Sequence, residues 1–257
     1  MLPFVEPSYI GLTERQKNVV FIASNFSESF LRFIPRQIKN YPSHGIDHTL
    51  NIIELTNKFL DRWDISLKRD EKFLLYLAAW LHDIGCISAR KGHNIKSIQL
   101  LEKNETLCVL LNNLDQELFL NLCDIIRCHS KSNSRSNGIM NVPKKRGKIR
   151  TQYICAIFRL MDACEVTKSK CPIEVYDEIK RTFKKNGAPD TVAIEFWEGH
   201  MNITEIVFTK PNIEIYLKNR KKSKNIISEL KTEVLSIKEI FRENGIPLPN
   251  IVLKSHK

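Results

Sequence analysis

The chain has 257 residues, 42% hydrophobic and 27% charged, which supplies enough apolar material for a sizeable core and argues against a disordered or fibrous protein. A net charge of +11 attracts phosphates, nucleic acid or anionic surfaces without choosing among them. No apolar run is long enough to cross a bilayer, and the first residues lack a basic-then-apolar leader. The seven cysteines are odd in number with no Cys-x-x-Cys spacing, so a disulfide framework or zinc knuckle is not expected, and a cytoplasmic protein without a membrane partner is.

In chain order, residues 14–38 read as helical, with Pro35 marking a break near the end. Residues 46–63 carry Ile46, Leu50, Ile53 and Leu60 on one face. Residues 67–83 are a strongly apolar candidate helix stopped by Gly85, and further helices are suggested over 94–103, 115–130 and 149–166. The stretch KSNSRSNGIMNVPKKRGK is polar, basic and punctuated by Gly and Pro, so it reads as an exposed loop. After about residue 190 the period changes. Ile203 to Phe208 and Ile213 to Leu217 alternate around Lys210-Pro211-Asn212, which is a hairpin pattern. Ile226, Leu230, Val234, Ile237 and Phe241 then follow at helical spacing, closed by Gly245. The expected fold is mainly α, a helical bundle over residues 1–170 with a small α+β appendage, hairpin plus helix, over 171–257.

Ionisable residues stand where core residues should. His82 follows Leu75, Ala78 and Ala79 by seven, four and three residues, and His129 follows Leu122, Ile125 and Ile126 at the same spacings. Asp83 lies four after Ala79, Asp162 four after Phe158, and His48 stands before Ile52 and Leu55. One such histidine is ordinarily a hydrogen-bonded core residue, and Asp162 alone could pair with Arg159. Several of them on separate helices call for a shared partner, because an unpartnered buried carboxylate or imidazole costs several kcal/mol. A metal ion neutralises and satisfies them together.

The segments SHGIDHTLNII, LAAWLHDIGC and IFRLMDACEV, in that order, resemble the HD-domain superfamily of metal-dependent phosphohydrolases over about residues 40–166. The resemblance implies an HD-type helical bundle with His48, His82, Asp83 and Asp162 as metal ligands. His93 in RKGHNIKS and His129 in IIRCHSKS look like the histidines that hold a second ion with Asp83 bridging; in a one-ion alternative they contact phosphate. His44, four before His48, resembles the leaving-group acid of His-x-x-x-His phosphodiesterases. The implied catalytic set is His44, Asp83 and Asp162, with an aspartate orienting a metal-activated water for attack on phosphorus.

Many relatives have a lysine where Cys86 stands, so the phosphate-binding cations are expected among Arg90, Lys91, Lys131 and Arg159. The basic loop 131–150 could gather a polyphosphate or nucleic-acid backbone, or could simply be solvated. A narrower similarity is to HD proteins with a short α+β tail, some from prokaryotic conflict systems. The implied activity is hydrolysis of a phosphorylated substrate, a nucleotide or signalling nucleotide, with one or two divalent ions (Mn, Fe, Co, Ni or Zn). The alternatives are a nuclease on single-stranded nucleic acid, a di-iron HD-type oxygenase and a non-catalytic nucleotide sensor, and homo-oligomerisation is left open.

Overall fold

The structure is a computed structural model that describes residues 7–34, 40, 45–129, 138–185 and 188–255. Helix α1 (Glu14–Leu31) starts at a capping box: Gln16 N–H donates to the Thr13 hydroxyl, and Thr13 N–H donates to the Gln16 side chain, both at 3.2 Å. It ends short of the expected residue 38, and Pro35 lies outside the described residues. Helices α2 (Ile46–Arg62) and α3 (Arg69–Leu81) follow. Every residue from Phe73 to Leu81 is buried, so α3 is a central helix covered on all sides. Helices α4 (His93–Glu102), α5 (Glu105–Asn112) and α6 (Leu118–Cys128) lead to α7 (Thr151–Cys164), which is likewise buried along nearly its whole length. Helix α3 packs on α1, α2, α6 and α7, while α2 and α6 each pack on α7, so the site-bearing helices share one crossing region.

Beyond α7 come a short 3-10 turn (Lys168–Lys170), α8 (Ile173–Ile179), the two-residue strands β1 (Lys184–Lys185) and β2 (Ala188–Pro189), and α9 (Thr191–Met201). The expected hairpin is present as β3 (Ile203–Thr209) and β4 (Asn212–Leu217), in antiparallel register with Ile206 opposite Ile215 and Phe208 opposite Ile213. The helix expected over 226–241 is two: α10 (Lys224–Ser236) and α11 (Lys238–Glu243), separated where Ile237 leaves helical geometry. The chain then returns as β5 (Asn250–Ser255), parallel to β4, with the two helices as the crossover that parallel pairing requires.

The expected division at residue 170 is not where the cores divide. Ile203, Phe208, Ile213, Leu230, Ile240 and Phe241 belong to the same buried cluster as the helical body, with Phe59 ringed by Trp63, Phe208 and Phe241. A second small core lies within 171–201, built on Cys171, Tyr176, Phe183, Ala193 and Trp197. Asn40 ties that lobe to the chain ahead of α2, because the Trp197 indole N–H donates to its carbonyl at 3.2 Å. The fold is mainly α with a small α+β tail whose apolar face is continuous with the body. Among the described residues, no helix is long and apolar enough to cross a membrane.

Candidate metal centre

Five helices and one 3-10 turn deliver the polar cluster. His48 lies in the first turn of α2, and His82 caps the C-terminus of α3, its N–H donating to Ala78 O at 2.9 Å. Asp83 starts the 3-10 turn Ile84–Ile87. His93 begins α4, His129 caps α6, and Asp162 lies in the last turn of α7.

Gly85 brings α4 close enough for His93 to reach. A Cβ at Gly85 would stand 2.1 Å from the His93 carbonyl oxygen and 2.5 Å from Ser97 N, so only glycine permits the approach. Ser97 locks the junction, accepting from Gly85 N–H at 2.9 Å and donating to His82 O at 2.6 Å.

Every nest imidazole has its Nδ1 engaged with an acceptor. His82 Nδ1 faces Ala79 O at 3.0 Å, His93 Nδ1 faces Arg90 O at 2.6 Å, and His129 Nδ1 faces Ile126 O at 2.7 Å. His48 Nδ1 faces the Glu165 carboxylate at 3.0 Å. Carbonyls and carboxylates only accept, so each Nδ1 carries a proton, and each ring in its neutral form offers its Nε2 lone pair. Those lone pairs meet. His48 Nε2 is 3.3 Å from His82 Nε2, and His93 Nε2 is 2.9 Å from His129 Nε2.

The carboxylates complete the cluster. Asp162 Oδ1 lies 3.3 Å from His48 Nε2 and 3.9 Å from His82 Nε2. Asp83 turns one oxygen each way: Oδ2 is 3.5 and 3.4 Å from His48 and His82, while Oδ1 is 3.2 and 3.8 Å from His93 and His129. Ligand bonds of about 2.0–2.2 Å place donor atoms roughly 3.0–3.6 Å apart in octahedral or tetrahedral arrangements. Most of the observed separations fall in that range, with His93–His129 at 2.9 Å just below it and the 3.8 and 3.9 Å contacts above it, and a shared cation satisfies facing imidazole lone pairs. The groups His48–His82–Asp162, His82–Asp83–His129 and Asp83–Cys86–His93 could each hold a metal ion.

The electrostatics follow the geometry. Burial disfavours charge on His82 and His93, but Asp83, joined at His82 by Asp162, outweighs it and raises both above the ordinary histidine value. His129, fully buried and facing His82 and His93, is pushed down to about 3. Burial would raise the Asp162 carboxyl, yet His48, His82 and His129 hold it well below the usual carboxylate range. Cys86 occupies the position of the lysine expected from relatives. Its buried thiol, pushed well up by burial and by Asp83, faces Asp83 Oδ1 at 3.7 Å.

The structure gathers His48, His82, Asp83, His93, His129 and Asp162 into one nest, and places Arg90 and Lys91 on the exposed turn just before His93. Arg159 does not join the nest as a substrate-binding cation. Its guanidinium is buried against Glu233 of α10 at 2.5 Å and Cys128 O at 3.5 Å, because a charge on an all-round buried helix needs a fixed counter-charge. His44 and Lys131 lie outside the described residues. Much of the described part of the basic loop is paired to the body: Lys144 with Glu243, Arg146 with Asp124 and Arg150 with Glu71. Two partners of His48 escaped sequence reasoning, Glu165 and Lys170, although Glu165 stands three residues after Asp162.

A buried His-Asp doublet meeting ligands from separate helices of one α bundle makes this an HD-type domain. The HD-CE family model matches residues 31–243, most of the chain, so the chain belongs to the HD-CE family. No curated protein matches it.

Proposed function

We propose that the chain is a metal-dependent phosphohydrolase acting on a nucleotide or signalling nucleotide. The observation that carries this reading is Asp83, whose two oxygens address two separate pairs of imidazole Nε2 atoms. Two divalent ions would be held there, one by His48, His82 and Asp162 and the other by His93 and His129, with Asp83 able to serve both. A bound divalent ion acts there as a Lewis acid, making water a stronger nucleophile at neutral pH and offsetting charge on phosphoryl oxygens.

The exposure of the protein's own groups supports one side of the nest as the entry for substrate. Four nest side chains are at most 5% exposed, whereas His93 is 14% and Asp162 22% exposed. Phosphate therefore approaches over Asp162 and His93, past the exposed Arg90 and Lys91, whose positive charge suits an anionic group. Asp162, ionised at the open side, is placed to orient a water. The net charge of +11 supports an anionic substrate and leaves its identity to assay.

The test is phosphate-ester turnover by protein reconstituted with Mn, Fe, Co, Ni or Zn, wild type beside Asp83→Ala, over nucleotides and cyclic and linear oligonucleotides. Divalent-dependent turnover that disappears in Asp83→Ala supports the proposal and names the substrate class. Metal binding without turnover, joined by oxygen uptake with iron, would replace it with an oxygenase. A wild type that binds no divalent ion would overturn it.

A further inference from the structure

His48 differs from the other three nest imidazoles in what holds its second nitrogen. Backbone carbonyls hold His82, His93 and His129, while His48 Nδ1 is held by the side chain of Glu165. Glu165 is the C-cap of α7, three residues past Asp162, and is 2% exposed. Both of its oxygens are engaged: Oε2 accepts from His48 Nδ1–H at 3.0 Å and from Lys170 Nζ at 2.9 Å, and Oε1 accepts from Asn51 Nδ2 at 3.0 Å. Asn51 lies on α2 just beyond His48, and Lys170 comes from the 3-10 turn leading into the 171–201 lobe. Lys170 Nζ also donates to Glu165 O at 3.4 Å and lies 3.4 Å from His48 Nδ1, farther than the 3.0 Å from that nitrogen to Glu165 Oε2.

A buried carboxylate–ammonium pair is a poor device for stability alone, since well-packed apolar residues of the same volume commonly serve as well or better. Its distinctive effect is on the imidazole. A carboxylate accepting Nδ1–H fixes the tautomer and ring plane, and strengthens Nε2 as a ligand. We propose that Glu165 is the positioning residue of His48, and that Lys170 clamps Glu165, tying the 171–201 lobe to the metal nest. The inference rests on the metal-binding part of the reading above and not on the substrate.

The experiment is Mn(II) binding by titration calorimetry on the full chain, comparing wild type, Glu165→Ala, Glu165→Gln, Lys170→Ala, His48→Ala and the His48→Ala/Glu165→Ala double variant, with metal-free melting temperatures alongside. Glu165→Ala is expected to weaken Mn(II) binding by about 10- to 100-fold. Glu165→Gln retains an acceptor for Nδ1–H and falls between wild type and Ala; it also serves should Glu165→Ala fail to fold. In the His48→Ala background, adding Glu165→Ala should cost little further affinity, because the residue acts through that ring. Lys170→Ala should weaken binding less than Glu165→Ala. Affinity within about twofold of wild type in both Glu165 variants overturns the positioning role, as does an equal loss with and without His48. A wild type that binds no Mn(II) overturns the metal reading and this inference together, and so is told apart from loss of positioning alone.

Discussion

Glu71, wholly buried in the first turn of α3, shows how the sequence treats a carboxylate that is structural. Its oxygens accept from Lys68 N–H at 2.9 Å, Arg150 N–H at 3.0 Å, and the Arg150 guanidinium at 2.9 and 2.6 Å. Burial would raise its pKa, but Arg150 and the two backbone donors win and lower it. A carboxylate with a lowered folded pKa stabilises the fold above its unfolded value, and that contribution is lost as pH falls through the folded pKa. Glu71→Gln should therefore cost about 2 kcal/mol at neutral pH, with Arg150 partly in water, and the deficit should shrink as pH drops below the ordinary glutamate range. Denaturant titrations of both proteins across that range check it, and a pH-independent deficit would refute the account. The contrast with the nest explains what was legible. His82, Asp83, His129 and Asp162 each interrupt an apolar face at helical spacing, so their burial could be read without a structure. Glu165 and Lys170 stand in DACEVTKSK, which looks like a solvated helix end, and only the fold brings that turn against His48. The pairing of Arg159 was not legible for the opposite reason: its counter-charge, Glu233, comes from 74 residues away.

Among the elements, the junction from α3 into α4 controls the second half of the nest. Gly85 is in contact with the first turn of α4, so Gly85→Ala must push His93 and Ser97 outward. A loss of about 1–3 kcal/mol in stability is expected from the forced backbone shift, with divalent affinity falling more steeply than stability because His93 leaves Asp83. Melting and Mn(II) titration on the same protein separate the two effects, and normal metal affinity in a destabilised variant would count against the account. Long periodic elements such as α3 and α7 were visible because an apolar surface repeats over several turns. Helix α5 was missed although Asn104 caps it, accepting from Leu107 N–H at 3.0 Å, because its eight residues carry little periodicity. The break at Ile237 could not be read, since Ile226 to Phe241 keep helical spacing across it. Strand β5 follows a Pro-containing stretch, and its pairing with β4 depends on a crossover that local pattern does not encode.

At the scale of the molecule, the shared core makes the tail part of what supports the helices of the nest. Phe241 is fully buried between Phe59 of α2 and Tyr153 of α7, the helices that carry His48 and Asp162. Phe241→Ala should cost about 3–5 kcal/mol and lower the melting point of the whole chain; loss of tail structure alone, with the body melting as before, would mean that the core is not continuous. Charge is distributed with the same economy. Arg146 is bound to Asp124, which Arg127 also holds, so Arg146 is a brace rather than a free arm of the loop. Arg90 and Lys91 stand exposed on the turn before His93, at the open side of the nest. Replacing Arg90 and Lys91 with Ala should raise KM for a phosphorylated substrate by about tenfold, leave kcat less affected, and flatten the dependence of KM on salt. Replacing Arg146 with Ala should leave KM and its salt dependence unchanged while costing about 1–2 kcal/mol of stability. Steady-state kinetics at two ionic strengths with a melt on each protein decide the matter. If Arg146→Ala changes the salt dependence of KM and the Arg90/Lys91 variant does not, the anion is drawn in by the loop and not by the rim of the nest.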